Sequence, residues 1–177
     1  QKVDHGVLCV AKDVTEMIDA TKLSEEDELT GMYNRRKFER VLSHAYKSKE
    51  DNFYLALIDL NGLRFINNTY GHAQGDNCLK LLAKALRNHS EGVFFRLEGN
   101  KFAGILDSNR YRVERLFLNI LAELDKIDSY PEISINIGVG LIDRRKSQAA
   151  NYDKTEALLN KAKQMGQNKF IIEDTSQ

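Results

Sequence analysis

The feature that most constrains the fold is a nearly continuous apolar run from Tyr54 to Leu60. Strands that are buried on both faces have this pattern, because neither side-chain direction meets water. Such a strand needs helices packed on both faces of its sheet. The one acid in the run, Asp59, stands near its end, and an ionised carboxylate in a dry core is costly. Asp59 is therefore a candidate site residue.

Helices and further strands are predicted on both sides of this run. Apolar residues recur at helical spacing in four segments, which cover residues 34–47, 73–88, 111–127 and 156–165. Further strands are predicted at 93–97, 102–106, 133–141 and 169–172. The first two flank a polar turn and form a β-hairpin, in which Gly99-Asn100 can reach positive φ. The order predicts an α/β fold, a mixed sheet flanked by helices with a ferredoxin-like core.

Composition narrows the classes of partner. The 177 residues contain 26 Lys plus Arg and 26 Asp plus Glu, so no global field attracts nucleic acid or an anionic membrane. Any anionic ligand must be held by a local site. Cys9 and Cys78 have no metal-ligand spacing, and the sequence contains no long apolar span or signal peptide. We expect a cytoplasmic setting and no direct membrane insertion of this segment.

Five separated motifs occur in a fixed order along the chain. They are Asp27-x-Leu29-Thr30-Gly31-Met32-Tyr33-Asn34-Arg35-Arg36, Asp59-Leu60-Asn61-Gly62-Leu63-Arg64-Phe65-Ile66-Asn67, Thr69-Tyr70-Gly71-His72 with Gly75-Asp76, Arg96-Leu97-Glu98-Gly99-Asn100-Lys101-Phe102, and Ala162-Lys163-Gln164-Met165-Gly166-Gln167-Asn168. In this order they resemble the GGDEF family, the diguanylate cyclase domains, over about residues 27 to 173. The resemblance implies an adenylate-cyclase-like sheet and a reaction that joins two GTP molecules, one on each of two facing domains, into cyclic di-GMP.

The resemblance also implies roles for particular residues. Asp59 matches a metal-binding aspartate, and Leu60 matches the residue whose carbonyl touches the metal. Asn67 and Asp76 match the pair that recognises guanine, although turn formation and helix capping would also suit both residue types. Leu63, Arg64 and Lys163 match further nucleotide-binding positions. Phosphate contacts are expected at the two basic residues, Arg64 and Lys163. His72 belongs to a family motif and is expected to be structural.

The turn departs from the family pattern. The family has Gly-Gly-Asp/Glu-Glu-Phe where this chain has Glu98-Gly99-Asn100-Lys101-Phe102. The third position has lost its charge and the fourth has reversed it, so Mg²⁺, which prefers anionic oxygen ligands, is expected to bind weakly if at all. The Lys101 ammonium could neutralise phosphate in place of a metal.

Two more positions depart from the pattern. Gln167 replaces a phosphate-binding arginine. Where the family has the Arg-x-x-Asp feedback site for cyclic di-GMP, just upstream of the hairpin, this chain has His89-Ser90-Glu91-Gly92, so product inhibition through that site is expected to be absent.

Three functions remain open. The first is a degenerate GGDEF module that binds GTP, or a related guanine nucleotide, as a ligand rather than a substrate. The second is an active or weak cyclase that uses Glu98 and Asp59 in altered geometry. The third is a ligand-free dimerisation module. As partners we expect a guanine nucleotide and either a second copy, in a homodimer, or another GGDEF or effector domain, in a heterodimer.

The first 25 residues are expected to belong to a different domain. Gly6 to Glu16 resembles the last strand and exit motif of a PAS sensor domain, which leads into a signalling helix. We expect residues 1–25 to be the end of such a domain and its linker, and residues 26–177 to be the degenerate GGDEF domain, as part of a larger sensor protein.

Overall fold

The structure, a computed structural model, describes residues 24–48 and 52–175. The expected PAS-like strand and linker helix lie almost entirely outside these residues. In chain order the elements are α1 (Arg35–Lys47), β1 (Phe53–Leu60), α2 (Leu63–Tyr70), α3 (His72–Arg87), β2 (Gly92–Glu98), β3 (Lys101–Asp107), α4 (Arg110–Asp125), β4 (Ile135–Leu141), α5 (Gln148–Gln164) and β5 (Lys169–Ile172).

One five-stranded sheet has the order β2-β3-β1-β4-β5. The pairs β2/β3, β3/β1 and β1/β4 are antiparallel, and β4/β5 is parallel. The first four strands have the ferredoxin-like order, with β1 at the centre as its apolar sequence predicts. The predicted mixed α/β sheet is therefore confirmed.

Helices cover both faces of the sheet. Alternate residues of β1, including Ile58 and Leu60, pack with α3 and α4 on one face. The intervening Leu55 and Leu57 belong to a second core with α1 and α5 on the other face. Asp59 shares this second face, because side chains alternate along a strand.

Helix α1 follows its sequence signal, and the hairpin follows its own in part. Asn34 caps α1 by accepting a hydrogen bond from the Lys37 amide, 3.2 Å away. In the hairpin, only Gly99 has positive φ, 46°, so the expectation for Asn100 is wrong. Gly166, just after α5, has a φ of 114°, as expected of a residue that ends a helix.

Two helices differ from the sequence prediction. Helix α2 was not predicted, because its eight residues bury only Ile66. Helix α5 begins eight residues before the predicted start, with Ser147 as its N-cap. Its first half was missed because the residues it buries there, Asn151 and Thr155, are polar.

Two sequence expectations concern thiols and membranes. Cys78 is buried and unbonded in the core, as its apolar setting predicts, and Cys9 lies outside the described residues. Among residues 24–48 and 52–175, every helix is too short or too polar to cross a bilayer.

Candidate functional site

Asp59 lies near the end of β1 and is 4% exposed. Its neighbours across the sheet are Lys101 on β3 and Asn136 on β4. The carboxylate Oδ2 forms an ion pair with the Lys163 ammonium of α5. The second oxygen, Oδ1, is buried and has no hydrogen-bond partner. Two residues that the resemblance assigned to metal and phosphate are therefore paired with each other.

Lys101 is held by a second acid of α5. Its Nζ lies 2.5 Å from Glu156 Oε1. Burial lowers the pKa of the Lys101 ammonium, but the hydrogen bond to Glu156 and the negative charge of Asp59 outweigh burial and leave the pKa above its ordinary value. Lys101 is therefore a cation at neutral pH, beside a buried carboxylate.

The hairpin turn closes onto the end of β1. The Asn100 side-chain amide donates to the Leu60 carbonyl, 2.9 Å away, and the Leu60 amide donates to the Asn100 carbonyl, also at 2.9 Å. The carbonyl that the resemblance assigned to a metal thus accepts a hydrogen bond from the residue at the third position of the turn.

The other turn residues have partners elsewhere. Glu98 is exposed and pairs with Arg35 of α1 at 3.2 Å. Phe102 is fully buried in the core beneath α3 and α4. Gly99 is exposed, and its carbonyl accepts from the guanidinium of Arg96 at 3.0 Å and 3.2 Å.

Arg96 connects this turn to the start of the described chain. Its Nη1 lies 3.1 Å from both carboxylate oxygens of Asp27. Burial raises the pKa of the Asp27 carboxyl, but hydrogen bonds from Thr30 and the charge of Arg96 outweigh burial and leave the pKa below its ordinary value. This ion pair joins the first and fourth motifs of the sequence.

Asn136 fixes the end of α5 beside Asp59. It is 2% exposed, and its side-chain amide donates to the carbonyls of Ala162 and Gly166, at 3.2 Å and 2.7 Å. Its Oδ1 accepts from Asn61 at 2.7 Å. These bonds satisfy carbonyls at the helix C-terminus, which otherwise lack partners. They position the last turn of α5, which carries Lys163.

The predicted guanine-binding residues lie on α2 and α3. Asn67 Oδ1 is buried and has no hydrogen-bond partner. A Cβ atom at Gly75 would stand 1.8 Å from this oxygen and 3.2 Å from a methyl carbon of Leu63. Gly75 therefore leaves room for the Asn67 side chain, and Asp76 is the next residue. The structure brings these three predicted positions together around Gly75.

The remaining predicted residues are on the surface. Arg64 on α2, His72 at the start of α3 and Gln167 after α5 are all exposed. Among residues 24–48 and 52–175, the structure contains no group of three or more His, Cys, Asp or Glu side chains arranged to hold a metal ion.

Several residues of the site were not predicted from the sequence. Glu156 stands seven residues before Lys163, so the two share one helix face, and that spacing was visible in the sequence. Asn136 carried no such signal, because its partners lie 26 and 30 residues away. The pairing of Asp27 with Arg96, 69 residues apart, was equally hidden.

Comparison with known proteins gives the family. The family model described as "Diguanylate cyclase, GGDEF domain" matches residues 24–169. An uncharacterized membrane protein of Staphylococcus haemolyticus is 30% identical over 171 residues, which cover 86% of this chain and 48% of that protein. One from Staphylococcus aureus is 30% identical over 162 residues, which cover 82% of this chain and 45% of that protein. The chain spans about half the length of the curated relatives it matches.

Solved structures share the fold. The coiled coil and GGDEF domain of DgcB from Caulobacter crescentus, in complex with c-di-GMP, has a TM-score of 0.83 at 20% identity and covers 98% of this chain and 100% of that one. The FimX GGDEF domain from Pseudomonas aeruginosa has a TM-score of 0.76 at 20% identity and covers 84% and 99%. The family model covers most of the sequence, and the chain belongs to the GGDEF, or diguanylate cyclase, domain family.

Proposed function

We propose that this domain is a degenerate GGDEF module of cyclic di-GMP signalling that binds GTP, or a related guanine nucleotide, without condensing it to cyclic di-GMP. The observation that carries the proposal is the contrast between two halves of the site. The guanine half presents a buried polar atom without a partner, whereas the metal half is already filled by the protein's own cations and amide.

The guanine half supports ligand binding. A buried acceptor that lacks a hydrogen bond is costly, and Asn67 Oδ1 is such an acceptor. An N–H group of a guanine base would satisfy it once a small rotation of the Asn67 side chain exposes the oxygen. The neighbouring carboxylate of Asp76 can accept from further N–H groups of the same base. Adenine presents a different donor pattern, so we expect guanine to be preferred.

The metal half does not fit Mg²⁺. Magnesium prefers anionic oxygen ligands, but Asp59 is paired with Lys163 and faces Lys101, and the Leu60 carbonyl accepts from Asn100. A divalent ion would have to displace one ammonium and stand beside another. We therefore propose that nucleotide binds without Mg²⁺, with Lys163 and Lys101 as the cations that meet phosphate.

A cyclase with altered geometry is the main alternative. It would need Glu98 to replace the missing carboxylate of the turn, but the Glu98 side chain is 72% exposed and pairs with Arg35. This contact holds the carboxylate at the surface, whereas the Asp59 side chain is 5% exposed. A ligand-free dimerisation module remains the second alternative.

Calorimetry with GTP, ATP and cyclic di-GMP, each in Mg²⁺ and in EDTA, tests the proposal. We expect GTP to bind in both buffers and ATP to bind more weakly. Asp76→Ala should weaken GTP binding about tenfold or more, because hydrogen bonds to charged groups are worth about 1.5–3 kcal/mol. Glu114→Ala, which removes an exposed acid of α4, is the matched control. No guanine preference would refute the proposal.

A second assay addresses the cyclase. Labelled GTP is incubated with Mg²⁺ or Mn²⁺ at high protein concentration, alone and mixed with an intact GGDEF domain. Cyclic product from the protein alone would show that it is an active cyclase. Product that increases only in the mixture would support a heterodimeric one.

The proposal extends to the whole protein. The curated relatives are named membrane proteins and are about twice the length matched here. We propose that this domain is the cytoplasmic part of a longer sensor, that residues 1–25 connect it to the sensing part, and that it works as a dimer with itself or with another GGDEF or effector domain.

A further inference from the structure

Four charges alternate in sign across the site. Lys163 pairs with Asp59, Asp59 faces Lys101 across the sheet, and Lys101 pairs with Glu156. The two strand residues are linked to α5 at two points, Glu156 and Lys163, which are seven residues or about two helical turns apart. The net charge of the four is zero, so the cluster is compensated without metal or nucleotide.

The members differ in their freedom to move. Asp59 and Lys101 have side chains that are 5% and 19% exposed, whereas Lys163 and Glu156 are 40% and 37% exposed. The more buried partner of each pair is therefore on the sheet and the more exposed one is on the helix. A side chain near solvent can rotate away at lower cost than a buried one, because water replaces its lost hydrogen bond.

We propose that the Glu156 carboxylate is an internal competitor of the nucleotide phosphates, holding the position at Lys101 that a phosphate oxygen takes when ligand binds. This rests on the proposed function. An ammonium beside a carboxylate is already satisfied by a charge-assisted hydrogen bond. A phosphate that reaches Lys101 must replace this carboxylate, and Glu156 then turns outward into water.

The exchange sets the affinity of the site. Phosphate and carboxylate are both anionic acceptors for one ammonium, so part of the phosphate's interaction only replaces an existing one. The affinity for nucleotide is lower by the free energy of the Lys101–Glu156 pair. Glu156 thus makes the domain respond to higher nucleotide concentrations than its base and phosphate contacts alone would give.

Calorimetry with GTP in EDTA tests this on the wild type and on Glu156→Gln, which keeps the length and an acceptor oxygen but removes the charge. We expect Glu156→Gln to bind GTP roughly ten- to hundredfold more tightly, because a hydrogen bond between charged groups is replaced by a weaker one. Asp153→Asn removes an exposed charge from the same helix and should change the affinity by less than about twofold. Glu156→Ala is the second variant if Glu156→Gln does not fold.

The outcomes separate the two proposals. If the wild type binds GTP and neither Glu156 variant binds more tightly, the competitor is refuted and the proposed function stands. If Asp153→Asn gains as much as Glu156→Gln, the effect is general electrostatics and the competitor is again refuted. If neither the wild type nor any variant binds a guanine nucleotide, the proposed function fails, and the competitor with it.

Discussion

The Asn100 side-chain amide donates a hydrogen bond to the Leu60 carbonyl, 2.9 Å away. A carboxylate at position 100 would repel that carbonyl unless a cation stood between them, because both groups are acceptors only. Asn100 therefore stabilises the turn against the end of β1 in the way that an acid and a metal ion would do together. A neutral side chain thus holds the turn against the end of β1.

Restoring the turn should restore a response to magnesium. In the triple variant Glu98→Gly, Asn100→Asp, Lys101→Glu, the introduced acids stand beside Asp59 and repel it. We expect Mg²⁺ to raise the unfolding temperature of this variant by several degrees, because a bound cation stabilises the folded state. The wild type and Glu98→Gly alone should not respond. An equal response in the wild type would mean that a divalent ion already binds there.

Removing the Lys101 charge should destabilise the fold moderately. Lys101→Met keeps the aliphatic stem but leaves Asp59 and Glu156 with one cation fewer. We expect a loss of about 1–2 kcal/mol in the free energy of unfolding, measured with urea, after allowing for solvent screening at the partly exposed Glu156. Lys84→Met, on the exposed side of α3, is the matched control and should change stability by less than about 0.5 kcal/mol.

The Asp27–Arg96 pair should give an acid-sensitive contribution to stability. The folded pKa of Asp27 lies below the ordinary value of 3.8, so the contribution is fully present above the unfolded pKa and is lost as the pH falls through the folded one. Asp27→Asn should cost about 1 kcal/mol between about pH 5 and 8. The difference from wild type should shrink below about pH 4.

Urea unfolding across this pH range measures the contribution of Asp27. Asp128→Asn, at an exposed loop position, should show no such trend. A difference between Asp27→Asn and the wild type that is the same at all pH values would mean that ionisation of Asp27 contributes nothing to stability.

Gly75→Ala should impair nucleotide binding without unfolding the protein. The new Cβ would overlap Asn67 Oδ1, at 1.8 Å, and force that side chain out of its position. Alanine favours the helix by about 1 kcal/mol, which offsets part of the strain. We expect GTP affinity to fall about tenfold or more while the circular dichroism spectrum is unchanged. Unaltered affinity would show that Asn67 does not contact the base.

The fold could be predicted from the sequence where burial and periodicity agree. The apolar run of β1 placed it at the centre of the sheet, and apolar repeats located α1, α3 and α4 to within two residues. Helix α2 was not predicted, because most of its residues face solvent. The first half of α5 was not predicted, because its buried positions are occupied by polar Asn151 and Thr155, which form hydrogen bonds. A search for apolar residues at helical spacing does not detect such positions.

The site could be predicted only in part, for a different reason. Motif positions gave Asp59, Lys163 and Lys101 as members, but their pairing depends on which residues face each other across the sheet and helix. Lys101 and Glu156 are 55 residues apart, and nothing local links them. Charge reversal at one position was visible in the sequence, whereas its compensation by a distant acid required the three-dimensional arrangement.

Gly138 has a consequence for the speed of any rearrangement at this site. A Cβ at this position would stand 2.3 Å from the Leu159 amide nitrogen, so the α5 backbone packs directly against β4 and leaves no space for a side chain between them. Under the proposed function, we therefore expect nucleotide to reach Lys101 or Lys163 after side-chain rotation, which takes nanoseconds or less at exposed positions, and not after helix displacement, which takes microseconds or longer. On this expectation, the association rate depends on diffusion and charge rather than on a slow conformational step.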